Sequence, residues 1–370
     1  MADWFTLSDS KVVHKLQKEI TTAVINESRF AQFIGLGNNA IIKTQKEDGL
    51  SATATMKFRG LIRNGGVSGD EDFDTNEGSL TYLAQTISLE SSGNSVKSGK
   101  TVKILSQVHF ENFRDDGKEG LTESETDKMD RRIYSRMSDK CSNIVACNHH
   151  TDLNTSNMVA GDVLTVADVE EAARRAREGV DAAGNSVPRL RPYKTVISKD
   201  AHGIEVKREI FVMYVGSRSS WNLKQDPAWS SKQEAASDVG FNSHIFSSQL
   251  GIIDDVVLLN HSTVSSEYAG IYTSKDTGID GQDFTIYNGA GGLKTEINLL
   301  VGATAMLMPM DTGYTYHEDT YDMKRKAKIA VDRLYGLAKT RFKGKAGTDE
   351  VNSIYHDKDY GVIAVVGALQ

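Results

Sequence analysis

The sequence contains little cysteine, little proline and no long uninterrupted run of apolar residues. Only two of its 370 residues are cysteine and only four are proline. The longest mostly apolar run, residues 297–310, includes Asn298, Thr304 and Pro309, so it falls short of the ~20 apolar residues that a membrane-spanning helix needs. The sequence therefore predicts no transmembrane helix. The N-terminal residues also lack the basic start and apolar stretch of a secretory signal, so we expect the chain to stay in the compartment where it is made.

The two cysteines, Cys141 and Cys147, are predicted to lie on one helix, six residues apart. The ~1.5 Å rise per residue of an α-helix separates them by more than the ~7 Å that a disulfide can bridge. Both are therefore predicted to be free thiols. His149 and His150 follow closely, but the spacing matches no standard zinc-ligand pattern. We expect no metal centre and no cofactor.

The charge balance is acidic, with 43 basic and 50 acidic residues and a net charge of −7. Ordinary duplex binding depends on basic groups that displace counterions from phosphates, so this composition argues against it. A chain of this kind can still enclose nucleic acid that another machine forces inside. It carries no basic arm, and we expect no membrane among its partners.

The most informative stretch is residues 49–101. Residues 53–58 and 80–89 have the β-branched, aromatic and alternating character of two strands, and a Gly-rich, acidic tip separates them. The basic residues of this stretch are Arg59 and Arg63, and its carboxylates are Asp70, Glu71, Asp72, Asp74 and Glu77. A lone two-stranded hairpin is marginally stable in water, so we expect this one to rest on another surface.

Two helices are predicted in the first 150 residues. Residues 10–25 have the periodicity of an amphipathic helix. Thr122 and Glu125 form a capping box that predicts the start of a long, charged helix running to about Val145. Its basic residues follow toward the C-terminal end, where they complement the helix dipole; they are Arg131, Arg132, Arg136 and Lys140.

The remaining chain is predicted to alternate helices and strands, which indicates an α+β fold. A helix is predicted from the cap at Thr165 to Gly179, and a short one after Asp226 and Pro227. Strands are predicted at 210–215, 254–260, 326–341 and 360–369. Residues 297–308 are predicted to form a buried helix, although periodicity does not separate it from a strand.

Catalytic patterns are incomplete. Residues 93–101 resemble a phosphate-binding loop, but the loop is one residue too long and Ser98 replaces a glycine, so we interpret residues 91–100 as a polar turn. Residues 70–81 begin like a calcium loop, yet Thr75 and Thr81 stand where Gly and Glu are required. No nucleophile elbow and no triad spacing occurs. We therefore expect a protein that is not an enzyme.

The order of the segments resembles that of tailed-bacteriophage major capsid proteins of the Hong Kong 97 (HK97) type, most closely those of phages like coliphage N-four. The matching segments are FAQFIG at 30–35, GGVSGD at 65–70 with NEGSL at 76–80, FVMYVG at 211–216, DPAW at 226–229, IFSSQLGIID at 245–254, LLVGATA at 299–305 and YGVIAV at 360–365.

The resemblance implies an HK97-like capsid fold. Residues 1–48 would be a detached N-terminal arm, 49–101 the extended loop, 122–147 the spine helix, 102–154 with 311–370 the peripheral domain, and 155–310 the axial domain. Residues 261–296 depart from the family pattern. The protein would assemble with itself into hexamers and pentamers of an icosahedral shell around double-stranded DNA, in the host cytoplasm. Scaffolding, portal and decoration proteins would be separate chains, since the arm is too short for a fused scaffold.

We expect the acidic tip to contact a basic surface of a neighbouring subunit, either the four basic residues of the long helix or residues 324–326. A solvated tip with no partner is the alternative. Two other functions stay open: an encapsulin-like nanocompartment shell around an enzyme cargo, and a nucleotide-hydrolysing enzyme that depends on Lys100.

Overall fold

The structure is a computed structural model that describes residues 10–46, 53–59, 82–98, 107–199, 205–231, 249–261, 287, 289–311, 313–321, 326–342 and 355–369. Its helices are α1 (Ser10–Glu27), α2 (Gln107–Ser138), α3 (Val166–Glu178) and α4 (Ser217–Gln225). Its strands are β1 (Ile34–Gly35), β2 (Ile42–Lys46), β3 (Thr53–Arg59), β4 (Tyr82–Ser88), β5 (Glu90–Lys97), β6 (Ile144–Ala146), β7 (Lys194–Lys199), β8 (Glu205–Val215), β9 (Gln249–Ile253), β10 (Val256–Asn260), β11 (Thr295–Val301), β12 (Met306–Met310), β13 (Thr315–Tyr321), β14 (Lys326–Tyr335), β15 (Ala338–Lys339) and β16 (Val362–Ala368). The mixture confirms the predicted α+β class.

The strands form three sheets. The first has the order β1-β2-β12-β14-β13, with β15 paired to β12 and β5 paired to β14. The second has the order β6-β16-β11-β8-β10-β9, with β7 paired to β8. The third is the hairpin of β3 and β4 alone. Both large sheets share one apolar core, because residues from α1, α2, α3 and both sheets belong to a single buried cluster.

The predicted helix at 297–308 is wrong. This stretch contains most of β11 and the start of β12, and every residue of β11 is buried. β11 lies between β8 and β16 inside the second sheet, so both of its faces are covered. A strand that is buried on both faces has no apolar–polar alternation, and its sequence is then indistinguishable from that of a buried helix.

The long helix begins and ends earlier than predicted. α2 has 32 residues and is therefore about 48 Å long. Thr122 lies inside it, where its hydroxyl donates to the Lys118 carbonyl oxygen at 2.8 Å instead of capping a helix start. α2 ends at Ser138, so Cys141 and Cys147 do not share a helix as predicted. Both are buried free thiols.

Most other predicted elements are confirmed with small shifts of their ends. The amphipathic helix at 10–25 is α1, and the predicted strands correspond to β3, β4, β8, β10, β14 with β15, and β16. α3 begins after Thr165, whose backbone N–H donates to Asp168 at 2.8 Å. It ends at Gly179, whose φ of 72° lies in the left-handed region. Residues 228–231 are helical after Asp226.

Two further interpretations are wrong. The predicted polar turn at 91–100 is largely β5, whose eight residues pair with β14 over its whole length. The arm is not detached over residues 10–46. β2 pairs in parallel with β12, and the Thr304 N–H donates to the Ala40 carbonyl oxygen at 2.7 Å. These arm residues are therefore part of the first sheet.

Candidate functional site

The base of the hairpin rests on the body of its own chain. β3 and β4 are antiparallel with Thr55 opposite Thr86, and their inward positions alternate with exposed ones. The inward apolar residues are Ala54, Met56, Phe58, Leu83 and Ile87. All of them except Ala54 pack in a cluster with Leu307, Phe342, Tyr355 and Tyr360. The expectation that the hairpin needs another surface is therefore confirmed, and the surface belongs to the same subunit.

Gln85 fixes the angle between the hairpin and the first sheet. It occupies an inward position between Leu83 and Ile87 and is only 6% exposed. Its amide Nε2 donates to the Lys339 carbonyl oxygen at 3.1 Å, and its Oε1 accepts from the Arg341 backbone N–H at 3.3 Å. The amide nitrogen and oxygen of Gln85 therefore both bond to backbone groups at the end of β15, as the backbone of a neighbouring strand would.

A buried charge cluster lies beside this contact. The Asp359 carboxylate is 3.0 Å from Lys339 Nζ and 3.1 Å from Arg341 Nε, and it accepts from the Ser142 N–H at 2.7 Å. Arg341 also donates to the Lys140 carbonyl oxygen at 2.7 Å, just after α2 ends. Asp359 and Lys339 are both almost fully buried. The cluster therefore lies between the end of α2 and the apolar contact that holds the hairpin on the body of the chain. We call this apolar contact the hairpin seat.

Asp130 of α2 holds the arm after α1. Its Oδ1 accepts from the Ser28 hydroxyl at 2.5 Å, and its Oδ2 accepts from the Arg29 backbone N–H at 3.1 Å. Burial raises the pKa of this carboxyl above its ordinary value, against the lowering effect of these hydrogen bonds. The ionised form is therefore held at some electrostatic cost.

Aromatic contacts continue this attachment along the arm. The Phe30 ring lies 4.7 Å from the ring of Tyr214 and 5.0 Å from that of His261, measured between centroids. Phe33 lies 5.3 Å from Tyr193 in an edge-on arrangement. Both phenylalanines are almost fully buried. The arm is thus joined to α2 by a polar contact and to the second sheet by apolar ones.

The four basic residues that were predicted as contacts on the long helix differ in exposure, and Lys140 lies just after the end of α2. Arg131 forms an ion pair with Asp127, one turn away on the same helix. Arg132 is buried and donates to the Tyr335 hydroxyl at 2.7 Å. Arg136 is half-buried, and Lys140 is exposed. Lys140 is therefore the one that a neighbouring chain can reach most easily.

The acidic half of the predicted contact lies outside the described residues. The residues outside the described part of the chain are Arg63, Asp70, Glu71, Asp72, Asp74 and Glu77, together with Lys324 and Arg325. Arg59 is the last residue of β3, opposite Tyr82. Lys326 begins β14, and its ammonium lies 5.8 Å from the centre of the Tyr321 ring. The contact between tip and basic surface stays a prediction.

The described residues give the phosphate-loop interpretation no support. Gly93 to Lys97 are extended within β5, and an extended strand cannot wrap its N–H groups around a phosphate. A Cβ at Gly93 would lie 2.4 Å from the Val331 carbonyl oxygen, so the close approach of β14 accounts for this glycine. The calcium-like pattern at 70–81 lies in a part of the chain that is not described.

Metal-ligand clusters and membrane-spanning helices are both missing from the described residues. No group of three or more His, Cys, Asp and Glu that could hold a metal ion occurs among the described residues. No described helix is long and apolar enough to cross a bilayer. Burial raises the pKa of both the Cys141 and Cys147 thiols, so neither has the thiolate character of a reactive cysteine.

Comparison with known proteins identifies the family. A family model described as phage capsid protein matches residues 5–370. The chain belongs to the phage capsid protein family. A relative, the major structural protein ORF14 of Helicobacter pylori bacteriophage KHP30, is 24% identical over 389 aligned residues, covering 95% of this chain and 94% of that protein.

Solved structures with this fold agree with that assignment. The acidic stable capsid structure of Helicobacter pylori bacteriophage KHP30 matches with a TM-score of 0.69 at 21% identity, covering 93% of this chain and 92% of that one. The capsid of Ralstonia phage GP4 matches with a TM-score of 0.66 at 17% identity, covering 93% and 92%. The predicted HK97-like capsid fold and the resemblance to tailed-phage major capsid proteins are confirmed.

This capsid protein is a virion component that assembles with itself into the phage head shell. The nanocompartment alternative is not favoured. Its sites are surfaces of contact, and sequence reasoning missed the residues that fix them, namely Gln85, Asp130, Lys339 and Asp359. Of these, Gln85 carried a visible signal, because it is a polar residue at an inward position of an alternating strand.

Proposed function

We propose that the hairpin at 49–101 is the part by which each subunit holds its neighbours in a closed shell of hexamers and pentamers. The observation that carries this proposal is the seat of the hairpin. The inward face of the hairpin packs on the subunit's own body, and Gln85 and the neighbouring charge cluster hold the base of the hairpin in place. These contacts connect the base of the hairpin to the end of α2 and to the first sheet.

The exposed face of the hairpin base suits contact with another chain. Its outward residues are small or polar, and the Thr55 and Thr86 hydroxyls lie 3.3 Å apart across the two strands. Because β3 and β4 pair with no third strand among the described residues, a further strand can add to the outer edge of either one. A neighbouring subunit can therefore approach either the face or the edge.

Further parts of the proposal follow from the family and the charge. We assign residues 102–154 and 311–370 to the peripheral domain and 155–310 to the axial domain. Scaffolding, portal and decoration proteins are separate chains, and assembly takes place in the host cytoplasm. The shell encloses double-stranded DNA without sequence-specific contacts, which agrees with a net charge of −7. The protein has no catalytic role.

A deletion tests the role of the hairpin. Residues 63–78 are removed and replaced with a short turn, which keeps β3, β4 and the seat intact. Because the buried face of the hairpin is unchanged, we expect a subunit with the parent's unfolding temperature that forms no shells in electron micrographs. Normal particles from the shortened chain would show that the hairpin is not an intersubunit element, and a lowered unfolding temperature would show that the tip stabilises the subunit itself.

A further inference from the structure

Large apolar side chains are rarely exposed in the described part of this chain, and three of the four that are belong to α4 or to the loop between β6 and α3. Leu36, Leu153, Val159 and Trp221 are the exposed ones, at 74%, 56%, 53% and 59%. Leu36 lies between β1 and β2. The other three lie on α4 and on the loop that leads from β6 to α3.

Hydrogen bonds hold α4 and this loop at one end of the second sheet. At the start of α4, the Ser219 N–H donates to the Glu296 carboxylate of β11. At its end, Asp226 accepts from the Val166 N–H at 2.8 Å, at the first residue of α3. The loop is fixed to the same end, because the Ala368 N–H donates to the Asp162 carbonyl oxygen at 2.8 Å where β16 ends. The exposed residues are therefore carried by a fixed framework.

The outer face of α4 combines one aromatic residue with positive charge. Arg218, Trp221 and Lys224 follow each other at three-residue intervals and all are exposed. Residues three apart are neighbours on a helix surface, so the indole lies between the two basic side chains. α4 contains no acidic residue. Tryptophan and arginine are the residue types most enriched among those that dominate binding energy at protein interfaces.

The charge of this face indicates its partner. The chain as a whole carries seven more acidic than basic residues, so the surface of a second copy is on average acidic and complements Arg218 and Lys224. Two cations are few for a nucleic-acid site, where affinity grows with the number of neutralised phosphates. A protein surface of opposite charge fits an exposed indole better.

We infer that the outer face of α4, centred on Trp221, is buried against an acidic surface of a second copy in the assembled shell. This inference rests on the proposed assembly function and assigns one of its contact surfaces. Trp221 inserts into the neighbour and supplies most of the apolar contact, while Arg218 and Lys224 orient it. Leu153 and Val159 extend the contact along the loop.

Tryptophan fluorescence tests the inference directly. The chain has three tryptophans, and the difference between the parent and Trp221→Phe isolates the Trp221 signal. We compare unassembled subunits with DNA-free shells, using acrylamide as the quencher. In subunits Trp221 should be readily quenched, because it is more than half exposed. In shells its emission should move to shorter wavelength and most of its quenching should be lost.

A charged variant measures the contribution to assembly. Trp221→Glu should raise the subunit concentration needed for half-maximal assembly at least about tenfold, the effect expected from losing an interface residue of this kind. Its unfolding temperature should match the parent's. Leu36→Glu is the matched control, since it places the same carboxylate at an exposed apolar position on the first sheet, and its effect should be clearly smaller.

The outcomes separate the inference from the function on which it rests. Shells in which Trp221 stays as quenchable as in subunits would overturn the inference and leave the assembly function standing. Protection that appears only in DNA-filled particles, or only after a second protein is added, would assign the surface to that other partner and overturn it as well. If Leu36→Glu raises the concentration needed for half-maximal assembly as much as Trp221→Glu does, the effect is general charge repulsion and the inference is overturned. A parent that never assembles would overturn the proposed function and this inference together.

Discussion

The Asp359 carboxylate joins parts of the subunit that are distant in sequence, and one substitution tests its role. Asp359→Asn should lower the free energy of unfolding by about 3–5 kcal/mol, because it leaves Lys339 buried without its counter-charge. Denaturant unfolding of the unassembled subunit measures the change. Asp319→Asn is the control, since its pair with Lys328 at 3.2 Å is largely exposed and should contribute only about 0–1 kcal/mol. Equal effects of the two variants would contradict the structural role of Asp359.

Asp130 predicts a pH dependence of arm attachment. Burial raises the folded-state pKa of this carboxyl above its ordinary value of 3.8, so the folded state binds the proton more tightly than the unfolded chain does. The protonated Asp130 carboxyl therefore contributes to folding stability below pH 3.8. This contribution is lost as the pH rises through the folded-state pKa of Asp130. Asp130→Asn cannot ionise. The stability difference, parent minus variant, should therefore be larger at pH 4 than at pH 7.

Unfolding free energies of parent and variant across this range measure the effect. Asp319→Asn again serves as the comparison, because its carboxyl is mostly exposed and its removal should change the pH profile little. A parent and an Asp130→Asn variant with parallel profiles would contradict the raised pKa.

Single residues of this kind were only partly predictable from the sequence. Asp130 and Asp359 are two of 50 acidic residues, and their partners are far along the chain, so no local pattern distinguishes them from solvated ones. Gln85 differs, because the alternation of β4 places it inward between two apolar residues. The acidic tip residues stand out by their local charge density, and the contact predicted for them involves another subunit.

At the scale of elements, prediction succeeded where local signals agreed with each other. α3 has an N-terminal cap at Thr165, an alanine stripe and a left-handed glycine at its end, and its bounds match the prediction. α2 was predicted to start too late because Thr122 followed by Glu125 forms the same pattern inside a helix as at its start. β5 was missed because its serines and its glycine suggest a turn, whereas pairing with β14 makes it a strand.

Two glycines give matched predictions for these elements. Gly120 lies inside α2, and a Cβ there would meet nothing within 4 Å. Gly120→Ala should therefore stabilise the subunit by about 0.5–1 kcal/mol, since alanine is the better helix former. At Gly93 of β5 a Cβ would lie 2.4 Å from the Val331 carbonyl oxygen. Gly93→Ala should instead destabilise the subunit, as β5 and β14 are forced apart.

The two variants differ from the parent by the same single methyl group, so their unfolding midpoints can be compared directly. Opposite signs are expected. A Gly93→Ala variant as stable as the parent would show that β5 is not held against β14 along its whole length, and a destabilised Gly120→Ala variant would contradict the continuous helix of 32 residues.

At the scale of the whole molecule, the subunit combines a shared core with surfaces that it does not cover itself. The core explains how α1, α2 and both large sheets keep a fixed arrangement. Within the described part of the chain, no strand pairs with the outer edges of the hairpin, and Arg218, Trp221 and Lys224 of α4 are exposed. Weak contacts at such surfaces become important in a shell, because every subunit repeats them.

The acidic tip of the hairpin supplies the last prediction. Asp70, Glu71 and Asp72 are consecutive carboxylates that repel each other unless a cationic surface receives them. We expect Lys140 of a neighbour to take part, since it is exposed whereas Arg132 is buried within its own subunit. Neutralising the three residues to Asn, Gln and Asn should lower the yield of shells at low salt. It should also flatten the salt dependence of the yield, because ions screen such pairs beyond ~10 Å at 0.1 M.

A control with the same change in net charge separates this contact from a general charge effect. Glu119→Gln, Glu123→Gln and Asp319→Asn together remove three exposed carboxylates far along the sequence from the tip. Shell yield is measured by sedimentation at several salt concentrations. If the tip makes an ion pair with a neighbour, only the tip variant loses yield at low salt, and its yield converges with the parent's at high salt. If both triple variants follow the parent at every salt concentration, the tip is only a solvated loop, and the hold of the hairpin on its neighbour must come from backbone pairing and apolar contact.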